Sequence, residues 1–273
     1  MDRNSHLVGF PAFLGRTVFR LFFLFAVASV FGQNAADFNV TLTGDGTGVI
    51  IKSYTGRAST VRIPATIQGM PVREIGSGSF FDGGINKTIT SVVIPAGVTI
   101  IGDGAFRNCE KLVSVSIPES VTEIRHMAFY STALKSVTLP RNLKILEYGA
   151  FSYTNISTVT LPQGVKIIAS EYYDDPGTFQ GCKNLKTVII PEGVTEIHNA
   201  MFGLCTSLTT ITLPASVKKI GLWGFSGCSA LTTVNVPSSV TSISINDRAF
   251  ESCPKLSLAS QALLKKLGYN GKF

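Results

Sequence analysis

The stretch LTTITLPASVKKIGLWGFSGCSA at residues 208–230 decides the fold, because its pattern recurs along most of the chain. The shared skeleton is L-x-x-V-x-I-P-x-x-V-x-x-I-G-x-x-A-F-x-x-C-x-x, and successive prolines lie 22 to 31 residues apart. Copies of one unit at such a period indicate a solenoid, in which each copy buries its apolar side against its neighbours. The eight copies begin at Ala58, Ile89, Leu112, Leu134, Ile156, Leu185, Leu208 and Leu231.

The first residues of each copy predict a β-strand. Apolar residues alternate there with polar ones at period two, which is typical of a strand with one buried face. One short strand per turn of the chain would stack in parallel on the strand of the next turn. The proline that follows has no N–H to donate and therefore ends the strand. The later Val, Ile and Phe positions are predicted to point inward and fill the core.

The N-terminal residues have a composition of their own. Three arginines precede an apolar run at residues 21–30, and the small residue Gly32 follows shortly after. This arrangement is typical of a secretory signal peptide and predicts that residues 1–32 are removed on export. The apolar run is about half as long as the ~20 residues of a spanning helix, which disfavours an uncleaved membrane anchor.

The charge of the chain is mildly basic. Removal of residues 1–32 would lower the formal net charge from +7 to +5. The remaining Lys and Arg residues are spread thinly and are not interleaved with aromatic residues. This distribution does not predict a nucleic-acid-binding groove.

Both ends of the repeat array, which spans residues 58–255, predict the caps that a solenoid needs. At residues 33–57, two alternating stretches flank the glycine-rich segment 44–48, and together they predict a β-hairpin over the first repeat. A calcium-binding loop is the alternative for that segment. At residues 256–273, Ser257 and Gly268 bound an apolar helical pattern, which predicts a short capping helix.

The unit resembles the BspA-like leucine-rich repeats of bacterial surface proteins, in particular those of treponemal type. The resemblance covers about residues 38–273 and includes the atypical first repeat IPATIQGMPV at 63–72 and the final CPKL at 253–256. The asparagine of ordinary leucine-rich repeats has no counterpart. The resemblance implies a β-rich, right-handed leucine-rich-repeat solenoid with a parallel strand ladder and eight repeats of about 23 residues. It also implies partners among host matrix proteins, host cells or other bacteria.

The cysteines share one position of the repeat. Each lies three residues after the repeat phenylalanine, and Thr132 and Thr154 occupy that position in two other copies. An odd set of cysteines in an exported protein raises the question of disulfides or a metal site. Their periodicity instead predicts small, buried side chains with free thiols in one column. The cysteines are Cys109, Cys182, Cys205, Cys228 and Cys253.

No pattern in the sequence predicts catalysis or a bound cofactor. The mature chain would hold two histidines, His126 and His198, and neither belongs to a recognisable metal motif. Glu123 and Glu196 recur at one repeat position, which predicts solvated surface charges and not a sheltered pair. Phosphate-binding loops, nucleophile elbows and zinc spacings are missing. We therefore predict a protein that is not an enzyme, with no catalytic residues, no metal and no cofactor.

A row of hydroxyl groups is the first candidate binding surface. The residue before each strand valine is a Ser or Thr in every copy, and several strands carry a second hydroxyl two residues later. A rigid, nearly uncharged sheet surface of about 35 Å, at ~4.8 Å per strand, would suit a macromolecular partner. The high β-propensity of threonine is an alternative explanation. The candidate residues are Thr138, Thr158, Thr160, Thr187, Thr210 and Thr212.

An insertion in the fifth copy is the second candidate. The segment ASEYYDDPGT at residues 169–178 interrupts the repeat, and such insertions project as loops that often mark a binding face. It combines aromatic residues with acidic ones, a mixture expected at a contact site. A loop without function is the alternative. Its candidate residues are Glu171, Tyr172, Tyr173, Asp174 and Asp175.

These observations together predict an exported, non-enzymatic module for protein–protein interaction. The resemblance favours a cell-surface or extracellular adhesion protein, with no integral membrane segment after cleavage. Two other classes remain open from the sequence: a structural or scaffolding module of the periplasm, and an inhibitor of a secreted enzyme.

Overall fold

The computed structural model describes residues 33–81, 88–172 and 174–273, so the predicted signal peptide and Tyr173 lie outside the described residues. The chain forms a parallel β-solenoid whose repeats each make one coil. In chain order the strands are β1 (Phe38–Leu42), β2 (Val49–Tyr54), β3 (Thr60–Arg62), β4 (Thr66–Ile67), β5 (Met70–Ile75), β6 (Ser91–Val93), β7 (Ile100–Ile101), β8 (Ser114–Ser116), β9 (Glu123–Ile124), β10 (Ile145–Glu147), β11 (Thr158–Thr160), β12 (Lys166–Ile168), β13 (Thr187–Ile189), β14 (Glu196–Ile197), β15 (Thr210–Thr212), β16 (Lys219–Ile220), β17 (Thr233–Asn235) and β18 (Ser244–Ile245).

The strand predicted before each proline is present in seven of the eight coils. These first strands pair in parallel with the first strands of neighbouring coils, in the orders β3-β6-β8, β11-β13 and β15-β17. The register joins equivalent repeat positions, as in the pair Val159 and Val188. The central residue of each strand points into the core, so the alternation read from the sequence is the alternation of the structure.

A second strand in each coil was not foreseen, since the sequence pattern suggested one strand per turn. It lies at the second apolar pair of the repeat, where an isoleucine or leucine such as Ile101, Ile124 or Leu146 is fully buried. These second strands form their own parallel ladder, β2-β5-β7-β9-β10-β12, and continue as β14-β16-β18. The pattern hides this strand because most of its members are only two or three residues long, too short to show alternation.

Both ladders are interrupted along the stack, and the first ladder breaks between β13 and β15 as well as at the fourth coil. The second ladder stops between β12 and β14, on either side of the insertion at residues 169–178. The first ladder stops at the fourth coil, where residues 134–140 form no strand. Thr138, predicted to lie on a strand, therefore lies in an extended segment outside the ladder.

The repeat phenylalanines form one aromatic column through the core. The column begins at Tyr54 and runs through eight phenylalanines, with neighbouring ring centroids 4.7–5.8 Å apart. Offset stacking at this distance adds to the apolar burial. Every ring in the column is at least 99% buried, so the centre of the solenoid is filled. The phenylalanines are Phe80, Phe106, Phe129, Phe151, Phe179, Phe202, Phe225 and Phe250.

The cysteine position lies beside this column. All five cysteines are buried and free. The Sγ of Cys205 donates to the carbonyl oxygen of Phe179 in the preceding coil at 3.3 Å, and the other four thiols make the equivalent contact. Thr132 and Thr154 instead donate to the phenylalanine carbonyl of their own coil, at 3.1 and 2.9 Å. Coils with threonine are one residue shorter at this turn, so the residue type reflects two ways of closing it.

The turn after each phenylalanine needs a left-handed residue. The residue two positions after the phenylalanine has φ between 54° and 71° in seven coils. Such a backbone favours Gly and tolerates Asn and Ser best among residues with a Cβ. This explains the small and polar residues at that position, although Tyr153 and Leu204 also occupy it. The seven are Asn108, Ser131, Tyr153, Gly181, Leu204, Gly227 and Ser252.

Each end of the stack is covered. At the N-terminal end β1 pairs antiparallel with β2, and Phe38 packs its ring 5.1 Å from that of Tyr54. At the C-terminal end the helix α1 (Leu258–Lys266) is capped by Ser257, whose side chain accepts a hydrogen bond from the N–H of Ser260. Leu264 and Tyr269 are fully buried against the last coil. Across the described ranges, no helix has the length and apolar character needed to cross a bilayer.

Candidate binding surfaces

The side chains on either side of the buried central residue of each first strand form one surface, which we call the hydroxyl face. On β11 the hydroxyls Thr158 and Thr160 are exposed on both sides of buried Val159. On β15 the exposed pair is Thr210 and Thr212. The sequence therefore predicted correctly which side of these strands meets solvent.

Parallel pairing aligns some of the predicted hydroxyls. Thr158 lies opposite Thr187 on β13, and Thr210 lies opposite Thr233 on β17. Ser91 and Ser114 are bonded through their hydroxyls at 2.9 Å, so part of the row is tied together by its own side chains.

Other positions break the row. Ile189 follows Thr187 on the same strand and is 53% exposed, and β13 is not paired with β15 within the described residues. Thr138 is exposed but lies in the coil that has no first strand. The hydroxyl face is thus a set of aligned patches and not one uninterrupted sheet.

The solvent side of the second strands forms a separate surface, which we call the second-strand face. It differs from the hydroxyl face because charged residues alternate there with apolar ones. Glu74, Ile100 and Glu123 lie side by side on β5, β7 and β9. Arg125 lies 3.4 Å from Glu123 and 3.8 Å from Glu74, so several of these charges are paired.

Three polar residues from three successive coils meet on this face. The Nδ1 of His126 lies 2.8 Å from Oδ1 of Asp103 and 3.9 Å from Oε2 of Glu147. Glu147 also accepts a hydrogen bond from the backbone N–H of His126 at 2.9 Å. These three residues could hold a divalent cation, because their ligand atoms all lie within 4.8 Å of one another and are of types that such cations bind. Sequence reasoning missed the cluster because each residue is isolated in its own repeat.

The insertion borders the second-strand face, since it follows β12. Its Tyr172 is 76% exposed, while Glu171 and Asp174 are exposed and Asp175 is half-buried. Ser170 donates a hydrogen bond to Asp175 and accepts one from the N–H of Tyr172, which closes the turn. The loop therefore places its acidic groups and one tyrosine at the surface, as predicted.

The far end of the insertion is anchored in the solenoid. Gly177 accepts a hydrogen bond from the hydroxyl of Ser152 and donates its N–H to Gln180 at 3.2 Å. A Cβ at Gly177 would overlap the backbone of Ala200 in the next coil. Only glycine fits this close approach, so one end of the loop is fixed in position.

The loop acts electrostatically on the face beside it. Burial raises the pKa of Tyr148, and the carboxylates of Asp175, Glu147 and Asp103 raise it further. The ring of Tyr148 stacks on that of His126, with centroids 5.2 Å apart. The loop and the adjoining part of the second-strand face therefore bring carboxylates together around two tyrosines, and we call this region the acidic–aromatic surface. Its residues are Asp103, Glu147, Tyr148, Glu171, Tyr172, Asp174 and Asp175.

The pKa values of Glu192 and of two cysteines are shifted by contacts within the stack of coils. Hydrogen bonds from the backbone N–H groups of Ala215 and Ser216 lower the pKa of Glu192, which bridges two coils. Burial raises the pKa of Cys182 to about 11 and that of Cys253 to about 12. A thiol with a raised pKa is a poor nucleophile at neutral pH. These shifts follow from burial and from hydrogen bonds between neighbouring coils.

Comparison with known proteins matches this architecture. The family model described as BspA type leucine-rich repeat region matches residues 73–175 and 175–270, in six copies. A leucine-rich repeat protein of T. pallidum is 29% identical with a TM-score of 0.68, and the match covers 89% of this chain and 98% of that one. A leucine-rich repeat protein of Bacteroides ovatus is 26% identical with a TM-score of 0.65, over 81% of this chain and 68% of that one. No curated protein sequence matches the chain.

Proposed function

The chain belongs to the BspA type leucine-rich repeat family, and on that premise we propose that it is an exported adhesion protein of the bacterial cell surface. Leucine-rich repeat proteins are in general protein-interaction modules, and the family is one of non-enzymatic repeats. The proposed partners are host matrix proteins, host cells or other bacteria. The proposal includes removal of residues 1–32 on export.

The observation that supports the proposal is the set of exposed, aligned hydroxyl patches on the hydroxyl face. Its threonines stand on strands whose buried residues are part of a filled core, so the surface is rigid before any partner arrives. A preformed surface loses little conformational entropy on binding. Extended side-by-side strands suit a large partner better than a small molecule, which needs a concave pocket.

The location of the protein tests the proposal first. Intact cells are treated with a protease that cannot cross the envelope, and the protein is followed by immunoblotting. Its loss from intact cells supports surface adhesion. Survival until the envelope is opened supports the periplasmic scaffold, and in that case the adhesion proposal is wrong.

Adhesion itself is tested with cells. A strain that lacks the gene is compared with its parent for attachment to surfaces coated with host matrix proteins. The proposal expects reduced attachment that is restored by the intact gene. Equal attachment of the two strains to every matrix protein, together with purified protein that inhibits a secreted enzyme, would favour the inhibitor class instead.

A further inference from the structure

The insertion contributes three carboxylates to the acidic–aromatic surface. The protein has a formal net charge of +7, yet Glu171, Asp174 and Asp175 follow one another within five residues of the insertion. Within residues 33–81, 88–172 and 174–273, none of these three carboxylates forms an ion pair with a lysine or arginine. The local charge is therefore opposite in sign to that of the whole molecule.

Exposed aromatic rings accompany these charges. Tyr172 is 76% exposed, which leaves its ring face open to solvent. Tyr148 is half-buried beside it and is held by stacking on His126 at 5.2 Å. A tyrosine ring attracts a lysine or arginine side chain over its face, and a carboxylate adds a charge-assisted hydrogen bond. The two groups together suit cationic side chains.

The carboxylates of this surface lie around the ring of Tyr148. Tyr148, Tyr172 and Asp175 line one small depression, and the carboxylates of Asp103 and Glu147 lie beside His126, on whose ring Tyr148 stacks. Their positions are set by the stack of coils and by the hydrogen bond that Asp175 accepts from Ser170. A surface that is arranged in advance gains more from a complementary partner.

We propose that the acidic–aromatic surface binds a lysine- and arginine-rich segment of a protein partner. This inference rests on the proposed function and names the chemistry of the partner that it requires. Nucleic acids and anionic lipid headgroups carry the same sign of charge as this surface and would be repelled from it. The hydroxyl face would contact the remainder of the partner.

A basic peptide tests the proposal directly. The probe is a fluorescein-labelled ten-residue peptide of alternating arginine and serine, and its binding to the purified protein is followed by fluorescence anisotropy. We expect saturable binding that weakens as salt is added. The double variant Glu171→Gln with Asp174→Asn should raise the Kd about fivefold, since each exposed pair contributes about 0.2–1 kcal/mol. The variant Tyr172→Ala should raise it about threefold through loss of the ring face.

A matched control separates this surface from net charge. Glu110 and Asp247 are exposed carboxylates outside the surface, and Glu110→Gln with Asp247→Asn makes the same change in charge. The control should leave the Kd of the peptide unchanged. The proposal is overturned if both double variants weaken binding equally, if the peptide does not bind, or if an acidic peptide of glutamate and serine binds as well.

Failure of this inference can be distinguished from failure of the proposed function. If the purified protein binds no matrix protein but holds the basic peptide at this surface, adhesion is wrong and the inference stands. A different result would separate the two in the opposite direction. If matrix proteins bind saturably, and if the Glu171→Gln, Asp174→Asn variant binds both the matrix proteins and the peptide with the Kd of the parent protein, the inference is wrong and adhesion stands.

Discussion

The buried thiols show how one position in the coil determines the chemistry of a residue. Cysteine fits the slot beside the phenylalanine column as a small apolar side chain with a weak donor, and five coils use it. The sequence predicted burial and free thiols from the periodicity alone. It could not predict that each thiol donates to the carbonyl of the preceding coil, because that contact depends on the rise between coils.

The buried thiols make the free energy of unfolding depend on pH in the alkaline range. Burial raises the pKa of Cys182 to about 11, whereas a thiol in the unfolded chain titrates near 8.5. Above pH ~8.5 the unfolded state therefore binds fewer protons than the folded state, and the free energy of unfolding falls as pH rises toward 11. Below pH ~8.5 this contribution is fully present. Urea unfolding under reducing conditions from pH 7 to 10.5 measures the effect.

A variant provides the control for this titration. Cys182→Ala should show a shallower loss of stability between pH 8.5 and 10.5 than the parent protein.

The burial of the thiols is tested by their reactivity. A thiol reagent should modify none of the five cysteines in the native protein at pH 7 and all five after unfolding. A native protein whose thiols react at once would contradict their burial.

Gly177 gives a second prediction at the residue scale. Because a Cβ there would overlap the backbone of Ala200, Gly177→Ala must displace either the loop or the next coil. We expect a loss of about 1–3 kcal/mol in the free energy of unfolding, as for other overpacked sites. Gly44→Ala is the matched control, because nothing lies within 4 Å of a Cβ at that position. Equal stability of the two variants would show that the loop is not anchored at Gly177.

The two kinds of strand in each coil differ in how well the sequence predicts them. The first strands could be predicted because alternation extends over six residues and ends at a proline. The second strands could not, because a pair such as Glu196–Ile197 is too short to carry a period. What defines them is parallel pairing with the neighbouring coil, which is a property of the stack and not of one repeat.

The aromatic column predicts that two phenylalanines differ widely in their contribution to the free energy of unfolding. Phe202 is fully buried between the rings of Phe179 and Phe225, at 5.7 and 5.6 Å. Phe202→Ala should cost about 3–5 kcal/mol in the free energy of unfolding, through lost burial and the cavity left behind. Phe81 is 46% exposed, so Phe81→Ala should cost less than about 1 kcal/mol. Thermal unfolding of the two variants measures the difference, and similar costs would argue against a continuous column.

At the scale of the whole molecule, stacking creates surfaces that no single repeat contains. The sequence placed Thr158 and Tyr172 at the surface correctly, because each can be assigned from its own repeat. It could not place Asp103, His126 and Glu147 together, since they come from three coils and meet only through the register of the second ladder.

Binding by the purified protein tests the central claim most directly. The Kd for immobilised host matrix proteins is measured for the parent, for the hydroxyl-face variant Thr158→Arg with Thr187→Arg, and for a control, Asn184→Arg with Ser229→Arg. All four positions are exposed, and the two variants add the same charge. We predict saturable binding of at least one matrix protein, weakened about tenfold or more by the hydroxyl-face variant and unchanged by the control. Saturable binding that both variants leave unchanged, or no binding to any matrix protein, would contradict the account.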